Sequence, residues 1–339
     1  MSESATHDFV VREYRAGDEH AILSAFNRVF PLVDPTFRPR TLDEWRWRTL
    51  GNPAGWRSWI AVAAGGEVVA QQAGLPIRMI HRGEAVTWNQ IVDSFADPRY
   101  GRGLKSPGLF VHVAQPFCDT YGGAPPKDQI MYGMPVRRAY RIGQKFLGYQ
   151  LVRDQHRLCA DAVAVQGRAA PRVDVEEVAR FPAEIDAFFE RARAPHKAIA
   201  VRDRAFLDWR FADRPGHGYR IALARRAADR ALVGYAVYAR GAFDLRDGAL
   251  VCDWLVDPSE ARAGDALRAW LGERARADGA AELTAVFPEP CADFAQFQRA
   301  GFRVEGTSYF TSAGSYTRTF HTLDLYWDWY YTLADFDLC

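Results

Sequence analysis

The sequence predicts an α/β chain, of the α+β kind with three layers and a mixed central sheet, built as two similar units in tandem. Three observations predict it. First, "WRTLGNP" from Trp47 and "WRFADRP" from Trp209 share the form WR, four residues, Pro, 162 positions apart. Second, five further features follow in the same order in each half, at offsets of roughly 150 to 165, the signature of an internal duplication. Third, 339 residues with 48% hydrophobic and 25% charged residues are enough for two cores.

Taken in order, each half opens with helical periodicity, "VREYRAGDEHAILSAFNRVF" in the first and "VEEVARFPAEIDAFFERARA" before the second. After the WR segment comes a strand-like run, "WIAVAA" or "YRIALA", and then a second strand, "GGEVVAQQAG" or "DRALVGYAVYA". A third apolar segment carries an aspartate in each half, Asp93 in "IVDSF" and Asp253 in "VCDWLVD". A helix-like stretch, a strand ("QIMYGMP", "LTAVFPEP") and a closing helix complete each unit, with Gly148 and Gly301 in Gly-aromatic endings that suit a helix C-terminus. The expected division is residues 1–155, a connecting segment 156–200 read as loop and short helices, and residues 201–339. Trp45, Trp47 and Trp209 recur with the repeat and are assigned to packing.

Composition excludes several functions. The net charge is +1, which gives no general electrostatic case for a nucleic-acid or anionic-membrane partner. No apolar run approaches the roughly 20 residues of a membrane helix. The start lacks the basic-then-apolar order of a signal peptide, so a cytoplasmic location is expected. Five scattered cysteines without a CxxC pair, and eight histidines without HxxxH or HExxH, point to neither a disulfide framework nor a metal site. Cys118 and Cys291 have no His–Asp partner assignable from spacing and are read as packed small residues.

The stretch "ADPRYGRGLKSPG" between Asp93 and the next helix holds the strongest chemical signal. Gly101 and Gly103 allow close approach of a ligand to the backbone, Arg102 and Lys105 add positive charge, and Ser106–Pro107 suits a helix start. Backbone N–H groups at such a turn bind anions. Read from the loop alone, a phosphate cradle and an ordinary structural turn both stand. GxxxxGK[ST] is absent, and GxGxxG does not follow a first βαβ strand.

With its surroundings, "VDSFADPRYGRGL" resembles the fourth strand and pyrophosphate loop of the GNAT superfamily of acyl-CoA-dependent N-acyltransferases. "VREYRAGDEHAILSAFNRVF" is similar to that family's first strand and helix, "GMPVRRAYRIGQKFLGYQ" to its Gly-aromatic segment, and "WDWYYTLADFD" to the tail of its two-unit members. The resemblance implies transfer of an acyl group, acetyl foremost, from acyl-CoA to a primary amine by direct attack. The amine would belong to a small molecule, amino sugar or peptide, and no metal, membrane or nucleic acid is implied. It places coenzyme contacts at Ser94, Phe95, Tyr100, Gly101, Arg102, Gly103, Leu104, Lys105 and Ser106, with Asp93 as base and Tyr140 or Tyr132 as acid.

The aromatic tail, with Trp329, Tyr331, Asp335 and Asp337, is expected to line the acceptor cleft, against the alternative of simple packing. The second unit lacks the glycine pair. Its Asp257 and Glu260 are expected to repel a diphosphate, so the first unit is expected to be the coenzyme site. Two other readings stay open. One is a scaffold with a decayed site, from Tyr100, Lys105 and Val136. The other is a tRNA-dependent aminoacyltransferase of the same double fold, from the basic residues Arg137, Arg138, Arg141 and Lys145.

Overall fold

The computed structural model describes residues 9–34, 37–100, 108–165, 170 and 172–338. It divides into two compact units. The first comprises residues 1–77, 86–150 and 312–320, and the second comprises residues 78–85, 151–311 and 321–339.

In the first unit the chain runs β1 (Phe9–Glu13), α1 (Glu19–Val29), α2 (Leu42–Arg48), β2 (Arg57–Ala63), β3 (Val68–His81), β4 (Glu84–Ala96), α3 (Leu109–Tyr121), β5 (Asp128–Gly133) and α4 (Arg137–Phe146). The sheet order is β1-β2-β3-β4-β5. Helix α1 buries Ile22, Ala25, Phe26 and Val29, an i, i+3, i+4, i+7 stripe that packs on Trp45, Ile60 and Phe95. The next residue of β2, Ala61, packs with Val69, Leu109 and Val113 instead. Successive strand residues face opposite ways, so α1 and α2 cover one face of the sheet and α3 the other. This is the expected three-layer arrangement. Helix α2 starts on a capping box, in which Thr41 accepts from the Glu44 N–H and Glu44 accepts from the Thr41 N–H.

The second unit runs β6 (Gln150–Asp161), β7 (Val173–Val178), α5 (Ile185–Ala192), β8 (Ala198–Ala200), α6 (Arg204–Leu207), β9 (Arg220–Arg226), β10 (Leu232–Phe243), β11 (Arg246–Val256), α7 (Ala261–Ala277), β12 (Glu282–Ala285), α8 (Ala292–Arg299), β13 (Arg303–Ser315), α9 (Leu325–Asp328) and β14 (Trp329–Tyr330). Its strands lie in the order β13-β6-β12-β11-β10-β9-β7. Phe188 of α5 meets Tyr235, while Leu267 of α7 lies over the neighbouring Gly234, so this sheet too is covered on both faces.

Element by element the units correspond. β7 pairs antiparallel with β9 as β1 pairs with β2. β11 runs parallel to β12 as β4 runs parallel to β5. Asp203 caps the Phe206 N–H at the position, 162 residues on, where Thr41 caps α2. The segment 156–200, expected to be a connector, is instead largely strand and helix of the second unit. Val173–Val178 is an edge strand rather than helix: Asp174 and Glu176, two apart and on one face, pair with Arg230 and Arg225 of the strand region beside it.

A second departure concerns the last strands. β6, which follows the closing helix of the first half, pairs with β12 of the second unit. The end of β13, which follows the closing helix of the second half, pairs with β5 of the first. Each unit is therefore completed by the strand that ends the other repeat. Periodicity specifies that a strand exists, not which edge it joins.

At the base of the first sheet Asp128 is fully buried, accepts from Asn89 Nδ2 at 2.7 Å and pairs with Arg57 at 2.5 Å. Burial pushes its carboxyl up to about 6, against the opposing pull of Asn89 and Arg57. The folded state then holds this proton more tightly than the unfolded chain does. Its contribution is full below the ordinary carboxylate range and falls as pH rises toward 6, by at most about 3 kcal/mol. His196 in the second unit works oppositely. Burial and then Arg202 lower it to about 4, so stability is lost as pH falls from 6.5 to about 4. The informative measurement is therefore the difference between wild type and Asp128→Asn in chemical denaturation from pH 4 to 7. The variant gains relative to wild type as pH rises, and parallel curves would refute the assignment.

Candidate functional site

β4 and β5 pair in parallel from Thr87–Asp128 to Gln90–Tyr132. Beyond Gln90, β4 continues to Ala96, and no described strand pairs that edge of it. At the divergence the backbones still approach closely, since a Cβ on Gly133 would lie 3.2 Å from the Ile91 carbonyl oxygen. Just past it Asp93 has φ 50°, a left-handed conformation that bends the strand. The bend is held from three directions. Gln71 Nε2 donates to the Asp93 carbonyl at 2.9 Å, Arg40 grips the carboxylate at 2.6 and 3.3 Å, and Arg48 lies 3.4 Å from it. A wedge thus opens between two parallel strands at their C-terminal ends.

Both strands lead toward helix starts that carry no side-chain cap, at Gly108 for α3 and Val136 for α4. Uncapped N–H groups and the helix dipole give this edge a positive character. The entrance to the following loop is braced by Asp97, which is buried and accepts from the Arg99 N–H at 2.9 Å while pairing with Arg28 and Arg99.

The surroundings of Asp93 run against the role of base that the sequence suggested. Burial pushes its pKa up, but Arg40 and Arg48 outweigh this and hold it below the ordinary carboxylate value. A carboxylate fixed between two guanidiniums accepts a proton poorly. The duplication supplies an internal control. Asp253 of the second unit pairs with Arg202, which stands 162 positions after Arg40. The repeated Arg–Asp pair is therefore part of the architecture, and that spacing was the signal available in the sequence.

The other expected residues are distributed as follows. Ser94 is half-buried, and its hydroxyl donates to the Val92 carbonyl at 3.2 Å. Phe95 turns its ring into the core against Phe26 and Phe30. Tyr100 ends a short turn, with its hydroxyl 3.2 Å from Glu67. Tyr132 is buried at the last paired position, its ring edge-on to Trp88. Tyr140 is half-buried on α4. Gly101, Arg102, Gly103, Leu104, Lys105 and Ser106 lie outside the described residues. Neither cysteine is poised as a nucleophile. Burial raises the Cys118 thiol to about 11 and the Cys291 thiol to about 12, where Cys291 caps α8.

The C-terminal residues differ from expectation. Trp329, Tyr331 and Asp335 are at most 2% exposed, within the second unit, and do not form an open acceptor cleft; Asp337 is exposed. They fill that unit's own wedge. β11 and β12 pair only from Ala249–Leu283 to Val251–Ala285. Just beyond, the Tyr330 hydroxyl donates to the Trp254 carbonyl at 2.7 Å, and the Thr332 hydroxyl bonds Asp253 at 2.7 Å. On the other side the Tyr330 ring faces Phe287, two residues past β12. Arg202, fully buried, binds Asp335 at 2.5 Å as well as Asp253, and Tyr235 donates to Asp253 at 2.7 Å.

Asp257 and Glu260, which were expected to repel a diphosphate, are both engaged within the second unit. Asp257 stands where Asp97 does in the first unit and likewise caps a turn, accepting from the Ser259 N–H at 3.0 Å. Glu260 is neutralised by Arg226. Residues 329–335 occupy this wedge.

Solved structures share this overall fold. A probable N-acyltransferase from Enterococcus faecalis V583 aligns with TM-score 0.67 at 14% identity, over 90% of this chain and 72% of that one. The fold is that of the GCN5-related N-acetyltransferases. A GNAT from Kribbella flavida aligns with TM-score 0.64 at 16% identity, over 92% and 72% of the two chains. A tandem GNAT protein from the clavulanic acid biosynthesis pathway aligns with TM-score 0.60 at 15% identity, over 91% and 99%. No family model matches the sequence, and no curated protein matches it. In GNAT terms the bend at Asp93 lies on the fourth strand of the first unit. Among the described residues no helix is long and apolar enough to cross a membrane.

Proposed function

We propose that the first unit binds an acyl-CoA, acetyl-CoA foremost, in the wedge between β4 and β5 and transfers its acyl group to a primary amine. The amine would be that of a small molecule, amino sugar or peptide. The observation that carries this reading is the contrast between the two wedges: one is filled by the protein's own chain end, and the other has no counterpart of that segment among its described residues. The strand edge after Gln90 offers backbone groups to a pantetheine arm, and the uncapped α3 start offers N–H donors to its phosphates.

In the reaction the neutral amine attacks the thioester carbonyl, the C–N bond forms and the C–S bond breaks. Backbone N–H groups near Ser94 and Phe95 meet the developing oxyanion. With Asp93 ion-paired, the ammonium proton leaves to water in the site, and Tyr132 or Tyr140 is the candidate donor to the departing thiolate. No metal is needed for these steps. The second unit, residues 78–85, 151–311 and 321–339, acts as a structural partner without a coenzyme site of its own.

Calorimetric titration with coenzyme A and acetyl-CoA tests this. Micromolar binding at one site per chain is expected, abolished by Gly103→Glu in the glycine loop. Absence of binding by wild type, or two equal sites per chain, would overturn it.

A further inference from the structure

Helix α4 carries Arg137, Arg138, Arg141 and Lys145 and no carboxylate. At roughly 100° per residue these positions fall within an arc of about 100°, and all four are exposed. The opposite arc holds Ala139, Ile142 and Gly143, with Gly143 buried beneath the Tyr149 ring. Among the described residues Arg138, Arg141 and Lys145 make no ion pair. Elsewhere this protein pairs comparable surface arginines closely: Arg225 with Glu176 and Glu184, Arg226 with Asp229 and Glu260, Arg230 with Asp174 and Glu176.

The charge also runs against the helix. Arg137 and Arg138 occupy the first two positions, where the dipole is already positive, with no acid in the first turn and no cap from Val136. Helix α2 shows the usual order, with Asp43 and Glu44 first and Arg46 and Arg48 last. With Arg138, Arg141 and Lys145 in no ion pair among the described residues, this face of the helix suits an anion from outside the unit. The cationic stripe starts immediately beyond Gly133, at the edge where the wedge opens.

Resting on the acyl-transfer reading above, we infer that α4 docks an acidic protein that presents the acyl group as a thioester on a phosphopantetheine arm. The arm enters the β4–β5 wedge while an acidic helix of the carrier lies along the stripe. From Arg137 to Lys145 the stripe is about 12 Å long, two turns of a facing helix. A folded RNA would instead engage a broader basic surface, with some six to ten phosphate contacts, and the chain as a whole carries a net charge of only +1. The chemistry is unchanged: the neutral amine nitrogen bonds the acyl carbon, the carbon–sulfur bond breaks, the two protons that the ammonium nitrogen gives up pass to water, and the carrier's thiolate takes a proton from Tyr132 or Tyr140.

The test compares two probes, coenzyme A and a holo acyl carrier protein, on wild type and on an Arg138→Glu, Arg141→Glu, Lys145→Glu triple variant. The variant's unchanged melting temperature confirms that it is folded. Carrier binding is expected to weaken at least about tenfold in the variant, and to weaken likewise in wild type from about 50 to about 300 mM salt, while coenzyme A binding changes less than about twofold. Equal loss of coenzyme A affinity would make the stripe a coenzyme subsite and overturn the inference. Coenzyme A binding without carrier binding, or stripe-dependent binding of bulk tRNA in place of the carrier, would overturn it too. If wild type binds neither coenzyme A nor carrier, the acyl-transfer reading itself fails.

Discussion

Arg202→Met is expected to destabilise the second unit by about 3 to 5 kcal/mol, the cost of leaving buried charge without its partner. Arg202, Asp253 and Asp335 are all buried, and the variant strands two carboxylates among the Tyr235 and Thr332 hydroxyls. Asp335→Asn should be far milder, about 1 kcal/mol. Arg202 faces two carboxylates, and burial already pushes the Asp335 pKa above its ordinary value despite Arg202. Asparagine keeps an acceptor for the Thr332 N–H, which Asp335 now receives at 2.8 Å. The sign of the pH effect follows from the same geometry. Asp335 already binds its proton more tightly folded than unfolded, and without Arg202 nothing opposes that effect of burial, so the variant's deficit deepens as pH rises from about 4 to 7. Urea denaturation of both variants across that range reads it. A loss below about 1 kcal/mol for Arg202→Met would mean that the C-terminal segment is not held this way.

The second large effect concerns Asp93, where stability and catalysis separate. Asparagine tolerates the left-handed backbone at this position, so Asp93→Asn removes the charge without adding strain. Arg40 and Arg48 then lose their shared buried carboxylate, and the first unit is expected to lose about 3 kcal/mol. The rate per folded molecule should stay within a few-fold of wild type, and the acid limb of the pH–rate profile should not move. Removal of a general base would instead cost roughly 10²- to 10⁴-fold at unchanged fold. A loss of that size in folded protein, with a displaced acid limb, would return Asp93 to the role the sequence gave it.

That contrast shows what was legible and why. Asp93 was conspicuous because a carboxylate in an apolar strand invites a chemical reading. Its partner Arg40 lies 53 residues earlier, and nothing local joins the two. Comparing the halves would have joined them, since Arg40 and Arg202 keep the 162-residue spacing of the tryptophans. The aromatic tail was expected to line an acceptor cleft, and the structure favours the packing alternative instead, because what the tail covers is a wedge formed by strands more than 40 residues upstream. The edge strand β7 was missed because alternating acids in a short run carry no apolar stripe, and its pairing arginines belong to another strand.

The sequence by itself determined the duplication, the three-layer α/β architecture, the strand–loop–helix order around the glycine loop and the absence of that glycine pair from the second half. These are local or periodic properties, written in spacing, turn residues and caps. Only the tertiary structure decided which strand completes each sheet, which carboxylates are neutralised and which wedge is filled. Those outcomes depend on contacts between distant segments, and a residue's charge state, burial and availability follow from the neighbours that folding brings to it.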